Sequence, residues 1–205
     1  MNRLALFILA NLALAYASSG QYYSKLFSAG LDINQPIVNR EFINAVSTKG
    51  FKFNYAEFIN DNLVIGAEAG LAEYHDYIPP QVYTQDNLTF IYTDIFSYVY
   101  SYSLNFSGKY FFIPDKIVMP YAGLGVGVAH NQFTMYYNAY TQQDKRWGAL
   151  VRPQGGVIIR AGKDANWGLL ADVHLDYATT KSKDTDYNKG FATTGFQLGV
   201  VFLKR

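Results

Sequence analysis

The stretch FSYVYSYSLNF, Phe96 to Phe106, places a large apolar or aromatic side chain at every second position and mostly serine between. A strand sends alternate side chains to opposite faces. One face therefore carries Phe96, Tyr98, Tyr100, Tyr102, Leu104 and Phe106, and the other Ser97, Val99, Ser101, Ser103 and Asn105. Faces this different in chemistry imply two different surroundings. Soluble and membrane barrels share such alternation and differ in which face is turned outward.

The same period recurs along the chain. Alternation and turn punctuation predict strands near Ser24 to Ile33, Gly50 to Ile59, Leu63 to Tyr74, Ile95 to Phe112, Pro120 to Tyr137, Trp147 to Ala161, Gly168 to Thr179 and Gly190 to Leu203. No segment of comparable length carries a helical stripe, so the expectation is one all-β domain. The connections alternate in length. Asn60 to Asn62, Ile113 to Lys116 and Gly162 to Asn166 are tight turns, whereas Asn34 to Lys49, Asp76 to Asp94, Asn138 to Arg146 and Thr180 to Lys189 are long. An antiparallel up-and-down barrel of eight strands would put all short turns and both termini at one end, as outer-membrane barrels do.

Sorting each strand by parity decides which face is out. One set is an almost unbroken apolar band, for example Leu63, Ile65, Ala67, Ala69 and Leu71, or Phe196, Leu198, Val200 and Phe202. The opposite set is small or charged, with runs such as Gly123, Gly125 and Gly127. A soluble exterior calls for Lys, Glu and Thr at those positions. A narrow barrel interior calls instead for small residues and paired charges. The apolar band is thus expected to face lipid, with Tyr22, Tyr23, Tyr55, Tyr110, Tyr121, Tyr137 and Tyr177 in girdles at the headgroups; a lipocalin-like soluble carrier is the alternative. The inward polar residues Asp32, Lys52, Glu68, Lys109, Arg152, Arg160, Asp172, His174 and Asp176 nearly cancel in charge. Folding about Asp164 sets Arg152 opposite Asp176 and Gln154 opposite His174, within a two-residue slip, and folding about Asp61 sets Lys52 beside Glu68. Buried charges must be paired, so a packed polar plug is expected rather than an open channel.

Bulk properties agree with that exterior. Charged residues make up 16% of the 205-residue chain and aromatics 17%, against roughly 25% charged in soluble domains. A net charge of +1 gives no electrostatic reason to expect nucleic acid. The absence of cysteine removes disulfides, thiolate metal sites and cysteine nucleophiles together. At the front, Arg3 precedes an apolar run from Leu4 to Leu14 and then Ala15-Tyr16-Ala17, the pattern of a secretory signal. Residues 1–17 are read as a signal peptide and 18–205 as the barrel domain, with an uncleaved anchor as the alternative.

Motifs suggesting chemistry are weak. GLGVGV, Gly123 to Val128, lies inside a strand and opens no helix, which removes the phosphate-loop reading. His75, His130 and His174 lack zinc-site spacing, and none is followed by serine in the His-x-Ser pattern of lipid-deacylating barrels. No catalytic residue, metal ligand or cofactor is assigned. The stretch DYIPPQVYTQDNLTFIYTD is the candidate contact surface, through Tyr77, Ile78, Tyr83, Phe90 and Tyr92. It can serve as an exposed apolar loop, or it can continue strands three and four above the membrane and pack on itself.

Taken in order, NYAEFINDNLVIGAEAG, MPYAGLGVGVAHNQF, WGALVRPQGGVIIRAGKDANWGLLADVHLDY and GFQLGVVF give a chain that resembles the small eight-stranded outer-membrane proteins, which include the OmpA membrane domain, OmpX and OmpW. The resemblance spans nearly all of the chain after the signal. It implies a monomeric transmembrane barrel in the bacterial outer membrane, non-enzymatic, with lipid around it and long loops free to meet a host or environmental surface. An OmpW-like passive carrier of small hydrophobic compounds is the second implication, and a lipid-modifying enzyme the third. Fold alone does not choose among them.

Overall fold

The computed structural model describes residues 23–38, 40, 42–86, 89–137, 140–180 and 190–204. The expected signal peptide and Tyr22 lie outside the described residues. Eight strands follow one another: β1 (Lys25–Pro36), β2 (Ser47–Phe58), β3 (Leu63–Asp86), β4 (Thr89–Phe111), β5 (Val118–Tyr137), β6 (Tyr140–Arg160), β7 (Trp167–Ala178) and β8 (Phe191–Lys204). Each pairs antiparallel with the next, and β1 closes on β8 from Lys25 opposite Lys204 to Pro36 opposite Thr193. Closure leaves no strand edge unpaired, which is the condition for a sheet to lie in hydrocarbon.

Three tight turns lie at the end that also holds Lys25 and Lys204. Between β2 and β3, Asn60 Oδ1 accepts the backbone N–H of Asn62 and Leu63 at 3.0 and 2.8 Å, a local bond asparagine favours in turns. Between β4 and β5, Asp115 takes a left-handed φ of 56°, which aspartate tolerates better than most side chains.

At the opposite end the strands run further than the sequence predicts. Residues 76–94 and 138–146, read as long loops, are mostly ladder: β3 and β4 are separated by two residues and β5 and β6 by two. Aromatic and β-branched side chains suit a pleated surface, and cross-strand pairing continues to satisfy the backbone where lipid ends. Pro79 and Pro80, lacking N–H donors, fall where the register shifts between Ile78 and Gln81.

The faces separate cleanly. Outward side chains such as Leu31, Leu169 and Phe106 are 60%, 57% and 73% exposed, while inward Arg152 and Asp172 are each 1% exposed. A continuous apolar belt of this kind is far beyond the patches soluble monomers expose. Tyr55, Tyr110 and Trp167 mark its lower rim, and Tyr102, His130 and Trp147 stack across β4, β5 and β6 at its upper rim, with centroids 6.3 and 4.6 Å apart.

The interior corrects the expectation of an all-polar filling. Near the tight turns Tyr23, Leu26, Phe58, Val64, Phe111, Met119, Ile158, Leu170 and Leu203 join in an apolar floor. Near the extended hairpins Phe42, Ile43, Tyr74, Val99, Phe133 and Phe191 form an apolar cap, to which the β1–β2 connection contributes the fully buried Ile43. The layer between them carries most of the buried charge among the described residues. Tyr23 and Tyr121 are floor residues, 2% and 4% exposed, and not girdle residues, because their positions face inward where no headgroup reaches.

Candidate functional site

The polar layer is built around Arg152 on β6. Its Nε and Nη2 donate to Asp176 Oδ1 and Oδ2 of β7 at 2.5 and 2.6 Å, a bidentate pair. Nη1 donates to Asn105 Oδ1 at 3.2 Å and lies 3.5 Å from Glu68 Oε2, while Nη2 also reaches Ser103 Oγ at 3.1 Å. Glu68 is saturated in turn, accepting from Lys109 Nζ at 2.8 Å, Gln154 Nε2 at 2.9 Å and Asn105 Nδ2 at 3.2 Å. An Arg–carboxylate pair buried this deeply needs such auxiliary donors to offset desolvation.

A second group crosses from β2 to β7 and β1. Lys52 Nζ lies 2.8 Å from His174 Nδ1, and His174 Nε2 lies 3.1 Å from Asn34 Oδ1. An ammonium can only donate, so Nδ1 accepts and the proton sits on Nε2, which donates to Asn34. Asn34 Nδ2 then donates to Asp32 Oδ2 at 2.8 Å, and Lys52 pairs with Asp32 at 3.7 Å. Asp172 accepts from Tyr121 Oη at 2.7 Å and lies 3.5 Å from His174 Nδ1. Gly195 makes room for this arrangement, since a Cβ there would collide with Asn34 Oδ1 and His174 Nε2.

The structure thus brings together Asp32, Lys52, Glu68, Lys109, Arg152, Asp172, His174 and Asp176, with pairings that only partly follow the register read from sequence. Gln154 stands opposite His174. Lys52 stands opposite Gly70 and Glu68 opposite Asn54, so Lys52 turns to Asp32 and His174 instead of Glu68. Arg160 does not join the layer. It lies at the floor, where its guanidinium donates to the carbonyls of Lys116, Asp115 and Lys163 at 2.8, 3.0 and 2.8 Å and to Tyr23 Oη. It ties two tight turns together.

Sequence reading missed Asn34 and Tyr121 as members of the network, and placed Asn105 on the inward polar face without a partner. Asn34 continues the inward parity of Asp32 one step past the predicted strand end, and Tyr121 hides among apolar neighbours in MPYAGLG. Above the layer, a cavity of about 20 Å³ touches Asn34, Tyr74, Asn131, Arg152, Asp176 and Thr193, room for about one water. Among the described residues, no group of three or more His, Cys, Asp or Glu side chains could hold a metal ion.

The candidate contact surface is placed on the extended β3–β4 hairpin. Tyr77 and Tyr92 are exposed and Ile78 is half-buried; Tyr77 packs on Phe96 with centroids 4.8 Å apart. Tyr83 and Phe90 lie in the ladder opposite Ile91 and Thr84, and their side chains lie outside the described residues.

No protein-family model matches the chain, and no curated protein matches it. Solved structures do. Neisserial surface protein A is 16% identical, with a TM-score of 0.52, covering 87% of this chain and 96% of its own. Ail, the attachment invasion locus protein of Yersinia pestis, solved with the heparin analogue sucrose octasulfate, is 14% identical with a TM-score of 0.50, covering 88% and 98%. The fold of this chain is that of the small eight-stranded outer-membrane β-barrels.

Proposed function

We propose that this chain is a monomeric, non-enzymatic integral protein of the bacterial outer membrane. Its lumen is closed by packed side chains, and it acts through its extended hairpins on a host or environmental surface. The observation that carries this reading is the contrast between a lipid-compatible outer belt and an interior occupied by floor, salt-bridged layer and cap, with a cavity of only about 20 Å³ beside Arg152. A solute would have to pass the floor, the salt-bridged layer and the cap in turn. The hairpins, by contrast, hold exposed Tyr77, Val82 and Tyr92 away from the belt.

Planar-bilayer recordings on the reconstituted protein test the closed lumen, and little steady ion conductance is expected because narrow eight-stranded interiors are filled by side chains. Large stable single-channel currents would overturn it, and uptake of hydrophobic solutes would favour a carrier. Replacing residues 77–94 by a short turn tests the surface role: adhesion to a host or abiotic surface should be lost while heat-modifiable gel mobility, the sign of a folded barrel, is kept. Adhesion unchanged by the truncation would remove that role.

A further inference from the structure

On the outer wall of β3, β4 and β5 the apolar belt ends at a row that carries charge. Lys49 Nζ pairs with Glu73 Oε1 at 3.2 Å in the open, and the ladders set Glu73 opposite Tyr100 and Tyr100 opposite Gln132. An exposed ion pair does not lie in hydrocarbon, so this row stands in the headgroup layer. At and just above it Tyr98 and Tyr100 project from one face of β4 with ring planes 6° apart and centroids separated by 6.4 Å. Tyr136 meets Tyr98 edge-on at 5.7 Å and 87°, His75 stacks on Tyr98 at 4.7 Å, and Phe96 extends the row. Phe96, Tyr98, Tyr100 and Tyr136 line an open groove of about 490 Å³.

We propose that this groove binds the saccharide headgroup of a glycolipid in the surrounding leaflet, two sugar rings stacking on Tyr98 and Tyr100. The C–H bonds on one face of a pyranose are weakly positive and match the negative face of an aromatic ring. Two nearly parallel rings with centroids 6.4 Å apart offer this to neighbouring sugars along a chain. Glu73, His75 and Gln132 flank the platform with acceptors and donors for hydroxyl groups. Charge favours a neutral saccharide over a phosphate, because Lys49 is paired with Glu73 and Lys145 lies one strand further on, opposite Gln132. The groove opens sideways, continuous with the lipid belt, so what reaches it is a molecule already in the leaflet. This step rests on the outer-membrane reading.

Native mass spectrometry of the full chain folded in detergent tests it, with digalactosyl diacylglycerol and phosphatidylglycerol of matched acyl chains as probes. The wild type should retain the glycolipid several-fold better than the phospholipid. Tyr98→Leu with Tyr100→Leu keeps apolar area but removes the rings, and should bring retention down to the phospholipid level. Tyr55→Leu, at the opposite rim, should leave it unchanged. Heat-modifiable mobility of every variant shows that the barrel is folded. Equal retention of both lipids by the wild type, or full retention by the double variant, overturns the proposal while the barrel reading stands. A wild type that shows no heat-modifiable form would sink the barrel reading and this proposal with it.

Discussion

The polar middle of the lumen and the apolar floor beneath it are built by the same strands at the same inward parity, yet different forces hold them. In the floor Phe58 lies 5.8 Å from both Phe111 and Tyr23, ring to ring, amid aliphatic side chains. Contacts there are numerous and individually weak, and each loss is a loss of buried area and packing. In the middle Arg152 alone meets Asp176, Glu68, Asn105 and Ser103. Few contacts carry that layer, and each depends on its partner being present. Packing tolerates the removal of one member in proportion to its size. A charge network responds to whether the remaining charges still balance.

The largest effects should show this difference most plainly. Arg152→Ala should destabilise the barrel by about 3–5 kcal/mol, because Asp176 loses its bidentate partner and is left as an uncompensated charge, while Glu68 keeps Lys109. Phe58→Ala should cost a similar amount, about 3–5 kcal/mol, through the cavity it opens. The two part in their second mutation. Adding Asp176→Ala to Arg152→Ala should cost less than the sum of the single changes, whereas no second truncation in the floor should relieve Phe58→Ala. Urea unfolding in lipid vesicles measures both, and strict additivity at Arg152 and Asp176 would erase the distinction between the layers.

Next in size is the outer face. Leu198→Arg, 52% exposed at mid-strand on β8, should impair insertion by about 2–4 kcal/mol, the penalty for arginine at the bilayer midplane of a barrel. The inward neighbour Gln197→Ala should be milder. Normal assembly of Leu198→Arg together with failure of Gln197→Ala would reverse the faces.

The smallest expected effect is the most specific to the charge balance. With Arg160 at the floor, the middle holds, among the described residues, four carboxylates, Asp32, Glu68, Asp172 and Asp176, against three cations, Lys52, Lys109 and Arg152. Asp172 Oδ1 has no hydrogen-bond donor. Asp172→Asn removes the excess charge and keeps an acceptor for Tyr121, so its unfolding free energy should stay within about 1 kcal/mol of the wild type or rise. A loss as large as that of Arg152→Ala would mean that Asp172 is an essential counter-charge and that the middle is balanced some other way.

Legibility in the sequence followed the same division between layers. Where polar and apolar residues alternate strictly, as from Phe96 to Phe106, the two faces and their surroundings could be read from residue types alone. The pairing of Gln154 with His174 could be read there too, because the tight turn after β6 leaves little freedom of register. At the strand ends alternation fails. Val200, Val201, Phe202 and Leu203 are all apolar; the parity carried in from Phe196 and Leu198 turns Val200 and Phe202 outward, and only the closed ring gathers Val201 and Leu203 into an apolar floor.

Tyr121 and Arg160 were misjudged for a related reason. Tyrosine suits both a girdle and a buried hydroxyl partner, and an inward arginine pairs with whichever carboxylate or carbonyl lies at its own height in the barrel. Height is set by strand tilt and stagger across the closed sheet. Strand parity, inside against outside and the number of strands were therefore determined by local sequence, since they depend only on the two-residue repeat of the pleat. The layering of the lumen, the reach of the hairpins and the choice of ion pairs were decided by tertiary structure, because they depend on which residues of non-adjacent strands arrive at the same level.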